Sequence, residues 1–503
     1  MTDTTHRPHL RATLILACLA QFMVILDVSV VNVALPSIRS HLGFTEADLQ
    51  WVVNAYTVTF AGFLLLGGRA ADLLGRRIVF VSGLVLFAVA SLIGGLANSQ
   101  TVLIGARAVQ GLGGAVIAPA SLTILTTAFA EGRARNRALG IWGAMGGAGG
   151  AAGVLLGGIL TDLLSWRWIL FINVPIGLIA AAAAQHYIAE GRNPERARSF
   201  DLAGAVTATL GLSILVLGIV RTDVKGWGSP EALGLMAFGV VLLALFLLIE
   251  GRFAKQPLMP LRIFESRTLT AANVVVFMLG AAVFAMWFFL SLYLQQVRGY
   301  SPLRAGLAFL PMTLSIVVCS TIASRVVNRV GPKPMLVFGM TVEAVGLLLF
   351  TRLSANGTYL GDVLAPSLLA AIGLGCSFVP VTIAAVAGVP SREAGLASGV
   401  VNTSRLFGGA LGLAVLAALA TSRTNHDLRH LGNSVEALHH ALTNGFQFAF
   451  LISALIAAAG AAVALFGMPK VRLTRQEQAS MPPPARDLVD ERGPEREPVA
   501  AGG

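Results

Sequence analysis

A chain of 503 residues would ordinarily make several soluble domains, yet 55% of this one is apolar and only 12% is charged. Soluble domains carry about 25% charged residues, so most of this chain belongs in a bilayer. The net charge of +11 does not point to nucleic acid, because the basic residues gather between alternate apolar runs, and Cys18, Cys319 and Cys376 lie inside such runs at no metal-ligand or redox spacing.

Apolar runs follow one another at 12–35, 50–70, 78–97, 101–128, 136–160, 168–189, 201–220, 230–250, 269–292, 302–324, 334–353, 360–387, 395–420 and 446–467. A helix needs about 20 residues to cross a bilayer, whereas barrel strands are about ten residues long and alternate in polarity. The runs therefore predict an all-α membrane protein with about 14 transmembrane helices. Arg7 and Arg11 precede the first run, as in a signal peptide, but it outlasts an apolar core of about 7–15 residues and is read as an uncleaved span. An even count puts both termini on one side, and that side carries 25 of the 36 Lys and Arg against 9 opposite, with Arg107 and Arg405 inside spans. The richer side is read as the cytoplasm.

The order expected is a cytoplasmic N-terminus (1–11), a six-helix bundle (12–189), a linker with two additional spans (190–268), a second six-helix bundle (269–467) and a disordered cytoplasmic tail (468–503). The segment 421–445 holds His426, His430, His439 and His440, which suits either an external metal or proton site or a solvated polar loop with a short surface helix.

An internal repeat divides the chain. Gly68-Arg69-Ala70-Ala71-Asp72-Leu73-Leu74-Gly75-Arg76-Arg77 follows the second run, and Ser324-Arg325-Val326-Val327-Asn328-Arg329-Val330-Gly331-Pro332-Lys333 follows the tenth. A small residue, a polar one four later, a glycine three after that and a basic end recur. The last six spans then repeat the first six, leaving spans 7 and 8 as an inserted pair. Two related halves around a central site is a transporter architecture.

The first span contains one carboxylate, Asp27, in Leu26-Asp27-Val28-Ser29-Val30-Val31-Asn32-Val33-Ala34-Leu35-Pro36. A lone acid in a span costs about 2.5–3.5 kcal/mol, so it needs a partner or a proton. Arg107 lies inside span 4 and cannot lose its charge, so it needs an anion or water. Glu343, inside span 11, is a second intramembrane acid suited to proton carriage or cation recognition. Span 5 carries Gly149, Gly153 and Gly157, a small-residue stripe for close helix packing, and has no Gly-Lys-Ser/Thr ending that would cradle phosphate. Asn54, Tyr56, Gln110, Asn173, Phe284, Trp287, Phe288 and Asn402 are candidates to line a central apolar cavity with sparse polar groups.

The Gly68–Arg77 stretch resembles the cytoplasmic loop signature of the major facilitator superfamily. Leu26–Pro36 and Trp166-Arg167-Trp168-Ile169-Leu170-Phe171-Ile172-Asn173-Val174-Pro175-Ile176-Gly177 resemble signatures of its fourteen-span drug:proton antiporter family. So do Gly299–Pro311 and Ala394–Gly412. The antiporter signature usual in span 5 has a proline where Val154 stands here. The resemblance implies two six-helix bundles plus two extra central spans, and proton-driven efflux of lipophilic, cationic drugs or antibiotics by alternating access. It implies that Asp27 and Arg107, and by extension Glu343, couple protons, and that Gly68, Asp72, Gly75, Arg76 and Arg77 form a conformational switch. The expected setting is a monomer in the bacterial cytoplasmic membrane, with small-molecule substrate, protons and lipid as partners. Neither cofactor, metal nor nucleic acid is expected. The alternative is a carrier of the same fold exporting or importing a specific metabolite. An enzyme acting on lipid is not supported, because neither a His-Glu-x-x-His helix nor a paired-acid site occurs.

Overall fold

The computed structural model describes residues 10–129, 133–190, 201–254, 257–387, 389, 394–431 and 434–469, without the side chains of Asp72, Arg133, Asn136, Asp223, Val224, Asn328, Ala394 and Leu431. Of the segments read above as the N-terminus (1–11) and the tail (468–503), residues 1–9 and 470–503 lie outside the described residues. Among the described residues fourteen helices are long and apolar enough to span a bilayer, and no strand occurs. Without water to bond to, backbone groups at membrane depth must be satisfied within each segment, and the helix does this.

The spans are α1 (Leu10–Leu42), α2 (Trp51–Leu74), α3 (Arg76–Gly95), α4 (Gln100–Ala128), α5 (Arg133–Leu163), α6 (Asn173–Tyr187) and α7 (Leu202–Lys225). They continue with α8 (Pro230–Leu248), α9 (Arg267–Leu292), α10 (Pro302–Val330), α11 (Pro332–Leu349), α12 (Ala365–Val386), α13 (Ala394–Leu431) and α14 (Val435–Ala462). Polar caps set many of the starts. Ser99, Asp201, Ser229, Ser266, Ser301 and Ser434 each accept a hydrogen bond from the N–H three residues on. Such a cap contributes about 1 kcal/mol and fixes where the chain turns into the bilayer.

Both copies of the repeat end in one geometry. Gly75 alone joins α2 to α3 with φ 109°, and Gly331 alone joins α10 to α11 with φ 86°. Residues with a Cβ rarely enter that region, so glycine permits a direct helix-to-helix corner.

Packing repeats likewise. In the first half α1 lies on α5, α2 on α4, and α3 on α4 and α6; in the second α9 lies on α13, α10 on α12, and α11 on α12 and α14. The halves meet along α2 with α13, α5 with α10, and α1 with α9. Their contact is polar as well as apolar at one end. Ser291 Oγ donates to the Asn32 carbonyl at 2.5 Å and Gln295 Nε2 to the Val33 carbonyl at 2.9 Å. Val30–Leu35 and Phe288–Leu294 are buried there.

The inserted pair is unequal. Leu212, Val216, Ile219 and Val220 of α7 pack with Ala47 and Val58 from the first half and with Ala410, Ala414 and Ala418 from the second. Helix α8 packs chiefly on α7, and only 11% of its most apolar stretch is buried. The histidine-rich segment differs from the loop that its polarity suggested. Residues through Leu431 continue α13 as one helix, so the apolar run ends well before the helix does. His426 and His430 sit one turn apart on it, ring centres 4.9 Å apart, and among the described residues no cluster of three metal-ligating side chains forms.

Candidate functional site

Helix α1, which carries Asp27, packs closely on the glycine stripe of α5 while Asp27 itself turns toward α4 and α6. A Cβ at Gly149 would lie 2.9 Å from the Phe22 carbonyl, one at Gly153 3.0 Å from that of Leu26, and one at Gly157 2.9 Å from that of Val30. The stripe brings the two backbones together on either side of Asp27.

Asp27 is fully buried and fully partnered. Its Oδ2 accepts from Arg107 Nη1 at 2.5 Å, while Oδ1 accepts from Gln110 Nε2 at 2.8 Å and Asn173 Nδ2 at 2.9 Å. Arg107 is 1% exposed, donates through Nε to the Val52 carbonyl at 3.0 Å and through Nη1 to Gln110 Oε1 at 2.7 Å. Its guanidinium stands 4.4 Å from the centre of the Tyr56 ring. Gln110 also donates to Ser91 Oγ, which donates to the Phe87 carbonyl. Four helices thus converge on one carboxylate through groups that supply polarity where the bilayer cannot. Burying a charge is tolerable only with such complete pairing.

Three of the proposed cavity residues belong to this cluster. Gln110 and Asn173 bind Asp27, and Tyr56 lies under Arg107. Asn54 and Phe288 are also buried, with Asn54 Nδ2 donating to Gln50 Oε1 at 3.3 Å. Phe284 and Trp287 are half-buried and Asn402 is exposed. Ser91 and the Val52 carbonyl were not anticipated. A serine in an apolar run gives no signal of its own, whereas Gln110, three residues after Arg107, stands on the same helix face as that arginine.

Glu343 is not part of this cluster. It is 1% exposed within the second half, and its Oε2 has no hydrogen-bond partner among the described residues. Gly113 faces Phe87 and Gly373 faces Glu343, so the repeat places Glu343 where the first half has Phe87. Gly153 lies on the Leu26 carbonyl and Gly408 on that of Phe277, which makes Met278 the counterpart of Asp27. The two buried acids are unrelated by the repeat.

In the loop signature, Gly75 takes its positive φ and Gly68 lies against Pro119, while the Asp72 side chain is outside what is described. Arg77 pairs with Glu190 at 3.3 Å and donates to the Gln185 carbonyl, tying this corner to the end of α6. Arg76 Nε is buried without a partner among the described residues.

A family profile described as Major Facilitator Superfamily matches residues 17–413. The chain belongs to that superfamily. Among curated relatives, the cephamycin export protein CmcT of Amycolatopsis lactamdurans is 45% identical over 414 residues, covering 82% of this chain and 85% of the relative. The puromycin resistance protein pur8 of Streptomyces alboniger is 38% identical over 88% of each chain. Among solved structures, an inward-facing bacterial homologue of the human lysosomal transporter spinster superposes with a TM-score of 0.65 at 15% identity, covering 93% of this chain and 98% of that one. At that identity the likeness speaks to fold alone. The chain is a multi-pass membrane transporter of this superfamily, similar to an antibiotic export protein and to antibiotic and multidrug resistance proteins.

Proposed function

We propose that this superfamily member works by proton antiport, exporting lipophilic small molecules of the antibiotic or drug type across the bacterial cytoplasmic membrane. The observation that carries the reading is the Asp27 carboxylate held by Arg107, Gln110 and Asn173 with no solvent exposure. A proton on Asp27 would remove the charge that holds Arg107, Gln110 and Asn173 around α1. Protonation and helix arrangement are therefore coupled states of one element. The seal where Ser291 meets Asn32 lies at the outer end if both termini are cytoplasmic, as the charge count favours. This arrangement is then the inward-facing one. Protonation from outside favours release of substrate, and deprotonation toward the cytoplasm restores the ion pair and the capacity to load again.

Asp27 is too deeply enclosed to touch substrate, so it couples through Arg107 and helix position. The corner at Gly68, Asp72, Gly75, Arg76 and Arg77 is the element that switches with it, and Glu343 serves as a second proton carrier. The monomer contains both halves and is the working unit.

The test is reconstitution in liposomes with an imposed pH gradient and a panel of lipophilic fluorophores. Wild type should concentrate at least one of them, and Asp27→Asn should lose gradient-driven accumulation while still exchanging label across a membrane without a gradient. Accumulation by Asp27→Asn equal to wild type would remove Asp27 from coupling. Facilitated equilibration by wild type with no response to pH would leave a uniporter.

A further inference from the structure

A second arginine within a span has no such shell. Arg405 lies about 16 Å along α13 from its first residue at 1.5 Å per residue. Its guanidinium stands 5.6 Å from the centre of the Phe378 ring on α12. One terminal nitrogen approaches Asn402 Oδ1 at 3.5 Å, the long limit of a hydrogen bond, and Nε has no partner. Among the described residues no carboxylate pairs with it.

The surroundings face the seam. Leu406, the next residue, packs among Tyr56, Phe60 and Leu64 of the first half, and the Phe284 ring of α9 lies on Gly409. Phe378 is 41% exposed and Asn402 is exposed, so the side of α12 and α13 beside Arg405 is open. The two acids at mid-span cannot balance it. Asp27 is saturated by three donors inside the first half, and Glu343 is enclosed in the second.

A guanidinium keeps its charge at any working pH and at membrane depth needs an anion or water beside it. Its Nε is buried and unbonded, so a carboxylate arriving from the open side meets the terminal nitrogens, held only by the long contact to Asn402. A guanidinium takes a carboxylate through two parallel bonds. We infer that Arg405 is the anion-binding point of the substrate path, and that the exported molecule is a lipophilic organic anion. Its carboxylate is held by Arg405, and its apolar body lies against Phe378 and Phe284. The inference rests on the export reading and replaces the cationic substrate expected from the sequence, since a cation entering this space meets a like charge and, among the described residues, no carboxylate paired with it.

Three probes of one size and different charge test it: dansylglycine, its neutral methyl ester, and the cationic amine dansylethylenediamine. Titrated into detergent-solubilised full-length protein and followed by dansyl anisotropy, dansylglycine should bind about tenfold more tightly than the amine, the usual scale of a charge-assisted pair. Arg405→Gln should abolish that preference while leaving the ester unchanged, which also reports that the variant is folded, and Arg405→Lys should restore part of it. Equal or tighter binding of the amine by wild type, or dansylglycine binding unchanged in Arg405→Gln, would overturn the inference. So would Arg405-dependent binding of dihexanoylphosphatidylglycerol without binding of dansylglycine, which would make this a lipid phosphate site. Accumulation of the same probes in proteoliposomes under a pH gradient separates the two claims. An Arg405-dependent preference without gradient-driven movement retains the anion site and removes the export reading.

Discussion

Arg107 and Asp27 meet at 2.5 Å with side-chain exposures of 2% and 0%, and they join α4 to α1 at the centre of the first half. Breaking one side of a buried pair costs about 3–5 kcal/mol, while replacing both with apolar groups costs far less. Arg107→Leu should therefore lower the melting temperature in detergent sharply. The double variant Asp27→Leu/Arg107→Leu should recover most of that loss. A loss in the double variant equal to the sum of the singles would show that the two residues act independently.

The glycine stripe gives a contrast within one helix. A Cβ at Gly153 would come within 2.5 Å of Ser29 Cβ, whereas one at Gly146 meets nothing within 4 Å. Gly153→Ala should destabilise by about 1–3 kcal/mol through overpacking of α1 on α5. Gly146→Ala should melt at or slightly above wild type, since alanine also suits a helix better. Equal effects of the two would mean that close approach of α1 and α5 does not set stability.

Glu343 should show stability and function in opposition. An unpartnered polar atom buried in the core costs about 1–3 kcal/mol, so Glu343→Leu should raise the melting temperature. The same substitution should reduce gradient-driven accumulation if Glu343 carries protons as proposed. A variant both more stable and fully active would reduce Glu343 to a packing residue.

The charge of the substrate has an electrical signature. An anion leaving and a proton entering both move positive charge inward, so each cycle is driven by membrane potential, about 2.3 kcal/mol per elementary charge at 100 mV. A valinomycin-imposed potential, negative on the side that substrate leaves, should accelerate dansylglycine export at constant pH. One-for-one exchange of a monocation for a proton would be electrically silent.

The spans were legible because twenty apolar residues have few other uses, and Asp27 with Arg107 because a lone charge in such a run demands a partner. Which side each helix turns was not legible. Gln110 and Asn173 looked like cavity residues, yet they point into the bundle at Asp27, since polar residues serve a buried carboxylate and a wet cavity equally well. Arg405 was visible as a charge in a span, but only packing showed that among the described residues no carboxylate pairs with it. The continuation of α13 to Leu431 escaped because apolar length measures what lies in lipid, and a helix can continue into water beyond it.

The α7–α8 hairpin has a bearing on where lipophilic molecules board. It closes one flank of the seam between the halves, where α7 touches both α2 and α13, while elsewhere along the seam α5 meets α10 directly. Sideways entry from the acyl chains between α2 and α13 therefore has to pass α7, whereas α5 and α10 close their own seam by direct backbone approach at Gly158 and Gly306.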